Sequence, residues 1–261
     1  MKHFILFKPD NFIRALTVSG SVIAVIYFFC MFIAPLVQGG GDWTYVQQVW
    51  DRWQSLNVGL LAFVSSITAL NISRFNSEKQ RERDFLASKA FLPSALSELV
   101  AYFKESASVY KKGWEASVGK QPAFQIPELP KGYKPVFQEC IRHAEPDVGD
   151  YLARILVRLQ VHDARLQRYV SQEEKDGHFS PEKHNLIYYF RDLGELLAMV
   201  HKLFGFARSM AEFDYSPLNW DDFHTAYANL DISEYEIKIS NKLDLESVTK
   251  RYISGSYDQD A

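Results

Sequence analysis

Seven histidines, His3, His143, His162, His178, His184, His201 and His224, are the side chains best suited to hold a metal or move protons, and their spacing argues against both. A structural or catalytic zinc site needs three or four ligands, commonly with two of them a few residues apart. The nearest pair, His178 and His184, stands six residues apart around the start of a helix and reads as a solvated loop pair. Glu98, Glu139, Glu145 and Glu195 fall on segments of helical periodicity, where a carboxylate ordinarily faces water. No glycine-rich phosphate loop, His-Glu-x-x-His pair or nucleophile elbow occurs. These patterns predict no catalytic residue, no metal and no cofactor.

The informative spacing is apolar. No charge occurs between residues 15 and 41, and the run LTVSGSVIAVIYFFCMFIAPL at 16–36 is as long as a bilayer core requires, about 20 residues. Phe28, Phe29, Met31 and Phe32 crowd the place where a signal peptide would carry small residues for cleavage. A second uncharged run, 53–73, is diluted by Ser65, Ser66, Thr68, Asn71 and Ser73, and reads as a second crossing or a buried soluble helix. Gly59, Ala62, Ser66 and Ala69 recur at helical spacing, a face of small side chains that lets another helix approach closely in lipid. Thr17, Gly20 or Ser21, and Ala24 offer a matching face on the first run. Asn71 either bonds across a helix pair or lies at the headgroup level.

Basic residues orient such a hairpin. Lys2, Lys8 and Arg14 precede the first run, Arg74, Lys79, Arg81, Arg83 and Lys89 follow the second, and the loop between holds only Arg52, which predicts both termini in the cytoplasm. Trp43, Tyr45, Trp50 and Trp53 suit the opposite headgroup region, and Trp43, Val46, Trp50 and Trp53 share one helical face, so this stretch begins the second helix or lies along the interface. The expected membrane domain is thus 1–73, with helices over about 15–37 and 53–73 and an aromatic loop at 38–52. A net charge of −3 gives no basic excess for nucleic acid. Cys30 and Cys140 lie far apart in the chain, so no disulfide is expected and a reducing compartment fits.

The remainder predicts a helical bundle. Residues 74–118 continue the second run as a long helix that Pro93 kinks or restarts, with the charged stretch SEKQRERD at 77–84 as a wet face. Residues 119–135 hold four prolines and read as an extended ordered loop. Within the bundle at 136–213, Leu152, Ile155, Leu156 and Leu159 mark a helix over 147–173, while Ser180 caps and Pro181 opens another running to about Phe213. Residues 214–261 predict short helices, one with Trp220, Phe223, Ala226 and Tyr227 on one face and one near 245–253, then a frayed tail.

Three stretches, QVWDRWQSLNVGLLAFVSS, RERDFLASKAFLPSALSELVAYF and PLNWDDFHTAYANLDISEYE, together resemble a group of largely uncharacterised proteobacterial two-crossing membrane proteins. These share a Trp-Gln pair before a small-residue helix and a charged run leading to Ala-x-Leu-Pro. In topology and size the chain is also similar to the transmembrane effectors of retron antiphage systems, an analogy of architecture. The resemblance implies a non-enzymatic protein of the bacterial inner membrane, an effector or regulator held by a cytosolic protein partner, able to self-associate through its crossings and acting in antiviral defence. The alternatives are a passive membrane-anchored scaffold and a membrane-tethered enzyme with a noncontiguous site.

Overall fold

The computed structural model describes residues 9–116, 124–175, 183–233, 236–240 and 243–255. The chain is mostly α-helical and divides into two compact units, Met1–Ser77 and Glu78–Ala261, with the division inside one long helix.

In the first unit, helix α1 (Pro9–Phe28) passes through a π-helical turn, Phe29–Ile33, into α2 (Ala34–Gln38). Pro35 explains part of this irregularity. It has no N–H to give the carbonyl of Met31 four residues back, and the indole Nε1 of Trp50 donates to that oxygen at 2.9 Å. Three glycines then stop the helix, with Gly40 and Gly41 at φ of 65° and 90°, conformations that exact little strain only from glycine. Asp42 caps the next helix, α3 (Trp43–Arg52), accepting from the Thr44 N–H at 2.9 Å. Most of the connecting stretch at 38–52 is therefore helix, the shared face of Trp43, Val46 and Trp50 forming a separate helix that a good cap starts and Trp53 ends before the second run.

Trp53 leaves helical geometry at ψ 19°, and α4 (Gln54–Lys89) begins directly after it. With no proline or glycine past Gly59, α4 continues unbroken for 36 residues. Stretches within Val18–Gln38 and Gln54–Glu115 are long and apolar enough to cross a membrane.

The second unit is a helical bundle. The chain turns at Ala90 and Phe91, and Pro93 sits in the first turn of α5 (Leu92–Glu115), where its missing N–H costs nothing. Helix α6 (Tyr133–His143) starts inside the expected proline-rich loop, because Pro135 lies in a first helical turn, where proline is tolerated. Residues 117–123 of that loop lie outside the described residues. Helices α7 (Pro146–Lys175) and α8 (Lys183–Ala207) follow; Ser180 and Pro181, expected to open α8, are also outside the described residues.

Helix α8 is the centre of the bundle, packing on α5, on α7, and on α9 (Trp220–Asn229) and α10 (Leu245–Ile253). Leu186, Phe190, Leu193, Leu197, Val200 and Leu203 are buried along it, and Gly194 lets the ring of Tyr227 lie against its backbone. It ends at Ala207, short of the expected Phe213. Ser209 adopts φ 56° and Met210 N–H returns to the Gly205 carbonyl at 2.9 Å, turning the chain so that Phe213 packs edge-on against Tyr151 from outside the helix. Two short antiparallel strands, β1 (Lys238–Ser240) and β2 (Leu243–Asp244), lead into α10, which Asp244 caps through the Ser247 N–H at 2.7 Å. Of the expected frayed tail at 254–261, residues 256–261 lie outside the described residues.

Candidate functional site

The residues expected to pack membrane helices all lie on the first unit, and all but the half-buried Gly20 are exposed. Ala24, Ala62, Ser66, Ala69 and Asn71 are exposed, and a side chain placed on Gly20 or Gly59 would meet nothing within 4 Å. The two helices are joined instead near α3. Tyr27 Oη donates to Asn57 Oδ1 at 2.6 Å, and Trp50 packs edge-on against Phe32 while bonding the Met31 carbonyl. All four aromatics expected at the interface, Trp43, Tyr45, Trp50 and Trp53, are exposed on and beside α3, Trp50 while also making the contacts of this junction.

Helix α4 buries none of its residues. Val58, Leu61, Phe63, Val64, Leu70 and Ile72 are exposed on all sides of it, and the hydroxyls of Ser66 and Thr68 are turned back onto the Ala62 and Val64 carbonyls at 2.9 Å each. Back-bonding of this kind satisfies a hydroxyl within its own helix and lowers its dependence on water.

The second unit contains a polar cluster that periodicity does not reveal. Glu195, on the central helix α8 and expected to face water, is 5% exposed. Its carboxylate accepts from the Arg158 guanidinium of α7 on one oxygen and from Tyr252 Oη of α10 on the other, at 2.6 Å. Arg158 also donates to Tyr252 Oη at 3.0 Å, and the Arg191 guanidinium lies over the Tyr252 ring at 4.3 Å. One turn away, Asp192 pairs with both Arg165 and Arg191. Burial raises the Glu195 pKa against the pull of Tyr252 and Arg158, and burial opposes ionisation of Arg158 but is outweighed by Glu195 and Tyr252, which raise it.

Behind these pairs a cavity of about 250 Å³ opens between α7 and α8. Its polar wall is Arg158, Arg165, Arg191 and Asp192, and its apolar wall is Val157, Val161, Leu196 and Tyr189. His162 and Tyr110 also line it. His162 is 3% exposed and ringed edge-on by Tyr102, Phe103 and Tyr110. Burial and the nearby Arg165 push its pKa down to about 3, so it is neutral in the cell. His162 Nε2 and Tyr110 Oη are both buried without a hydrogen-bond partner.

The other named groups are ordinary. Glu98 and Glu145 are exposed, and Glu139 bonds Arg142 at 2.8 Å on its own helix. His184 is exposed and His178 is outside the described residues; among the described residues no cluster of His, Cys, Asp and Glu could hold a metal. The signal overlooked was a set of charges inside an apolar run, Arg191-Asp192-Leu-Gly-Glu195 within YYFRDLGELLAMV, matched by Arg158, His162 and Arg165 one turn apart on α7. No family model, curated protein or solved structure matches the chain, which leaves side-chain geometry to carry function.

Proposed function

We propose that the chain is a two-pass protein of the bacterial inner membrane, with both termini cytoplasmic, whose hairpin acts on the bilayer under the control of a protein partner of the cytosolic bundle. The observation that carries this is the uniform apolar exposure of α4 between Leu56 and Ile72, with no buried residue along the helix. A helix apolar on every side is stable only inside a protein core or in lipid. The inward basic bias of the flanks and the aromatic α3 agree with the orientation.

In this reading the open faces at Gly20 and Ala24 and at Gly59, Ala62, Ser66 and Ala69 are where copies of the hairpin meet. Partner release would be relayed along α4, whose last turns are fixed to the bundle by Phe85 against Phe206 and by Lys89 over the same ring at 3.9 Å. Self-association then permeabilises the membrane, as in an abortive-infection response to phage. Expressing the chain without other proteins and following growth and membrane potential tests this: arrested growth with depolarisation is expected, and unimpaired cells with full potential at high expression overturn it. Ala62→Leu with Ser66→Leu should abolish the effect while leaving a passive scaffold able to bind its partner.

A further inference from the structure

We propose that the outer face of α7 is a homodimer surface, on which the same helix of a second copy of this chain lies antiparallel. Leu152, Ile155, Leu159 and Leu166 are buried and seat α7 in the bundle. On the opposite side of the helix run Asp150, Arg154, Val157, Val161, Ala164 and Arg168, all of them exposed, Val157 at 61% and Val161 at 43%. They are spaced alternately by four and three residues, the pattern that keeps one seam facing a partner helix along its length. The seam is apolar at its centre, acidic at its N-terminal end and basic at its C-terminal end, and it spans about 27 Å at about 1.5 Å per residue. Asp150 and Arg168 form no ion pair with another described residue, so each end offers an uncompensated charge at the surface.

The order of these residues selects both the partner and its direction. A parallel copy in register would set Asp150 against Asp150 and Arg168 against Arg168, and like charges brought face to face oppose association. An antiparallel copy centred at position 159 sets Asp150 against Arg168 at both ends, Val157 against Val161 in the two middle layers, and Arg154 against the small Ala164 between them. The seam is thus its own complement, as a two-fold interface requires, each contact being made twice with the copies exchanged. Arg154 is held over the ring of Tyr151 at 5.2 Å, and the methyl side chain opposite it leaves room for its stem. An unrelated partner would need acid, apolar and base in the reverse order along one helix, which a second copy carries by construction. One helix pair with Val157 and Val161 of each copy at its centre buries an area at the low end for specific complexes, below about 1,200 Å² in total, so the dimer is weak, with a Kd of roughly 10–100 μM. The contact does not depend on whether the hairpin enters lipid.

Disulfide trapping of the full chain in detergent tests the contact where it is placed. Cys30→Ser removes the exposed native thiol, and Cys140 is buried. Residues 157 and 161 of the two copies are level in the antiparallel pair, whereas two copies of residue 157 are offset by about 6 Å along the axis. Copies carrying Val157→Cys, mixed with differently tagged copies carrying Val161→Cys, should therefore form the mixed disulfide about tenfold faster than either forms one with itself. Asp150→Arg in both copies sets like charges together at both ends and should slow trapping about tenfold, and Arg168→Asp in both should do the same. The two reversals together pair the charges again and should restore the parent rate. All four positions are exposed, so the bundle should stay folded, as circular dichroism checks. Ala62→Leu with Ser66→Leu, which act on the crossings, should leave the preference for the mixed pair unchanged, so failure of the hairpin reading and failure of this contact are told apart. No trapped dimer at about 100 μM protein would overturn the proposal. So would equal rates for mixed and like pairs, trapping indifferent to both charge reversals, or no recovery in the doubly reversed chain.

Discussion

Leu61→Arg separates a helix in lipid from a helix in water. Leu61 is 69% exposed near the middle of the apolar part of α4. On the insertion scale, Leu56, Val58, Leu60, Leu61, Phe63, Val64, Ile67, Leu70 and Ile72 contribute about −0.3 to −0.6 kcal/mol each, roughly −3 to −5 kcal/mol together. Ser65, Ser66, Thr68 and Asn71 reduce that sum. Arginine at mid-helix costs about 2.5–3.5 kcal/mol and forfeits the leucine's share, so the change is about 3–4 kcal/mol and cancels the driving force. In water the same replacement on an exposed surface would move stability by no more than about 0.5 kcal/mol. C-terminal fusions to green fluorescent protein and to alkaline phosphatase read the difference. The parent should be fluorescent and phosphatase-silent; in Leu61→Arg, with α4 left outside, the pattern should invert, while Leu61→Ile should match the parent. If Leu61→Arg kept both the fluorescence and the resistance to carbonate extraction of the parent, α4 would not be a lipid-borne helix.

Four further outcomes follow from the bundle and the hairpin. His162 has a folded-state pKa of about 3 against 6.5 unfolded, so its contribution is complete above pH 6.5 and is lost as pH falls from 6.5 toward 3. At pH 5 the loss should be about 2 kcal/mol relative to pH 7.5. Glu195, held above the usual carboxylate range, works in the opposite sense, so the difference in denaturation midpoint between the parent and His162→Phe across this window isolates the histidine. Gly194→Ala should cost about 1–3 kcal/mol in chemical denaturation, because a Cβ there strikes the Tyr227 ring. Gly59→Ala meets open space and should leave the monomer's stability unchanged within about 0.5 kcal/mol. Tyr252→Phe removes the hydroxyl shared by Glu195 and Arg158 and should cost about 1–2 kcal/mol, read from the thermal midpoint of the full chain in detergent.

What was legible in the sequence followed from local rules. The charge-free run of residues 15–41, the long helix past Asn71 and the restart at Pro93 each depend on residues within a turn or two, and composition alone decides them. Boundaries failed where a contact made them. The turn after Ala207 rests on Phe213 docking against Tyr151 and Phe206, and the separation of α3 from the second run, whose helical face the spacing of Trp43, Val46 and Trp50 did show, rests on Asp42 as a cap and on Trp50 reaching the Met31 carbonyl. Neither partner can be inferred from spacing.

The polar cluster was hidden for a sharper reason. Periodicity assigns a charged helical residue to water, because an unpaired buried charge is too costly. Glu195 escapes that rule only because Arg158 arrives from α7 and Tyr252 from α10, at sequence separations of 37 and 57. Any one of the three, taken singly, is an ordinary surface residue. Their coupling also ties the C-terminal helix to the cavity. Tyr252 Oη bonds both Glu195 and Arg158, and Arg158 forms part of the cavity wall, so undocking α10 would strip a donor from Glu195 and free Arg158 to reorient.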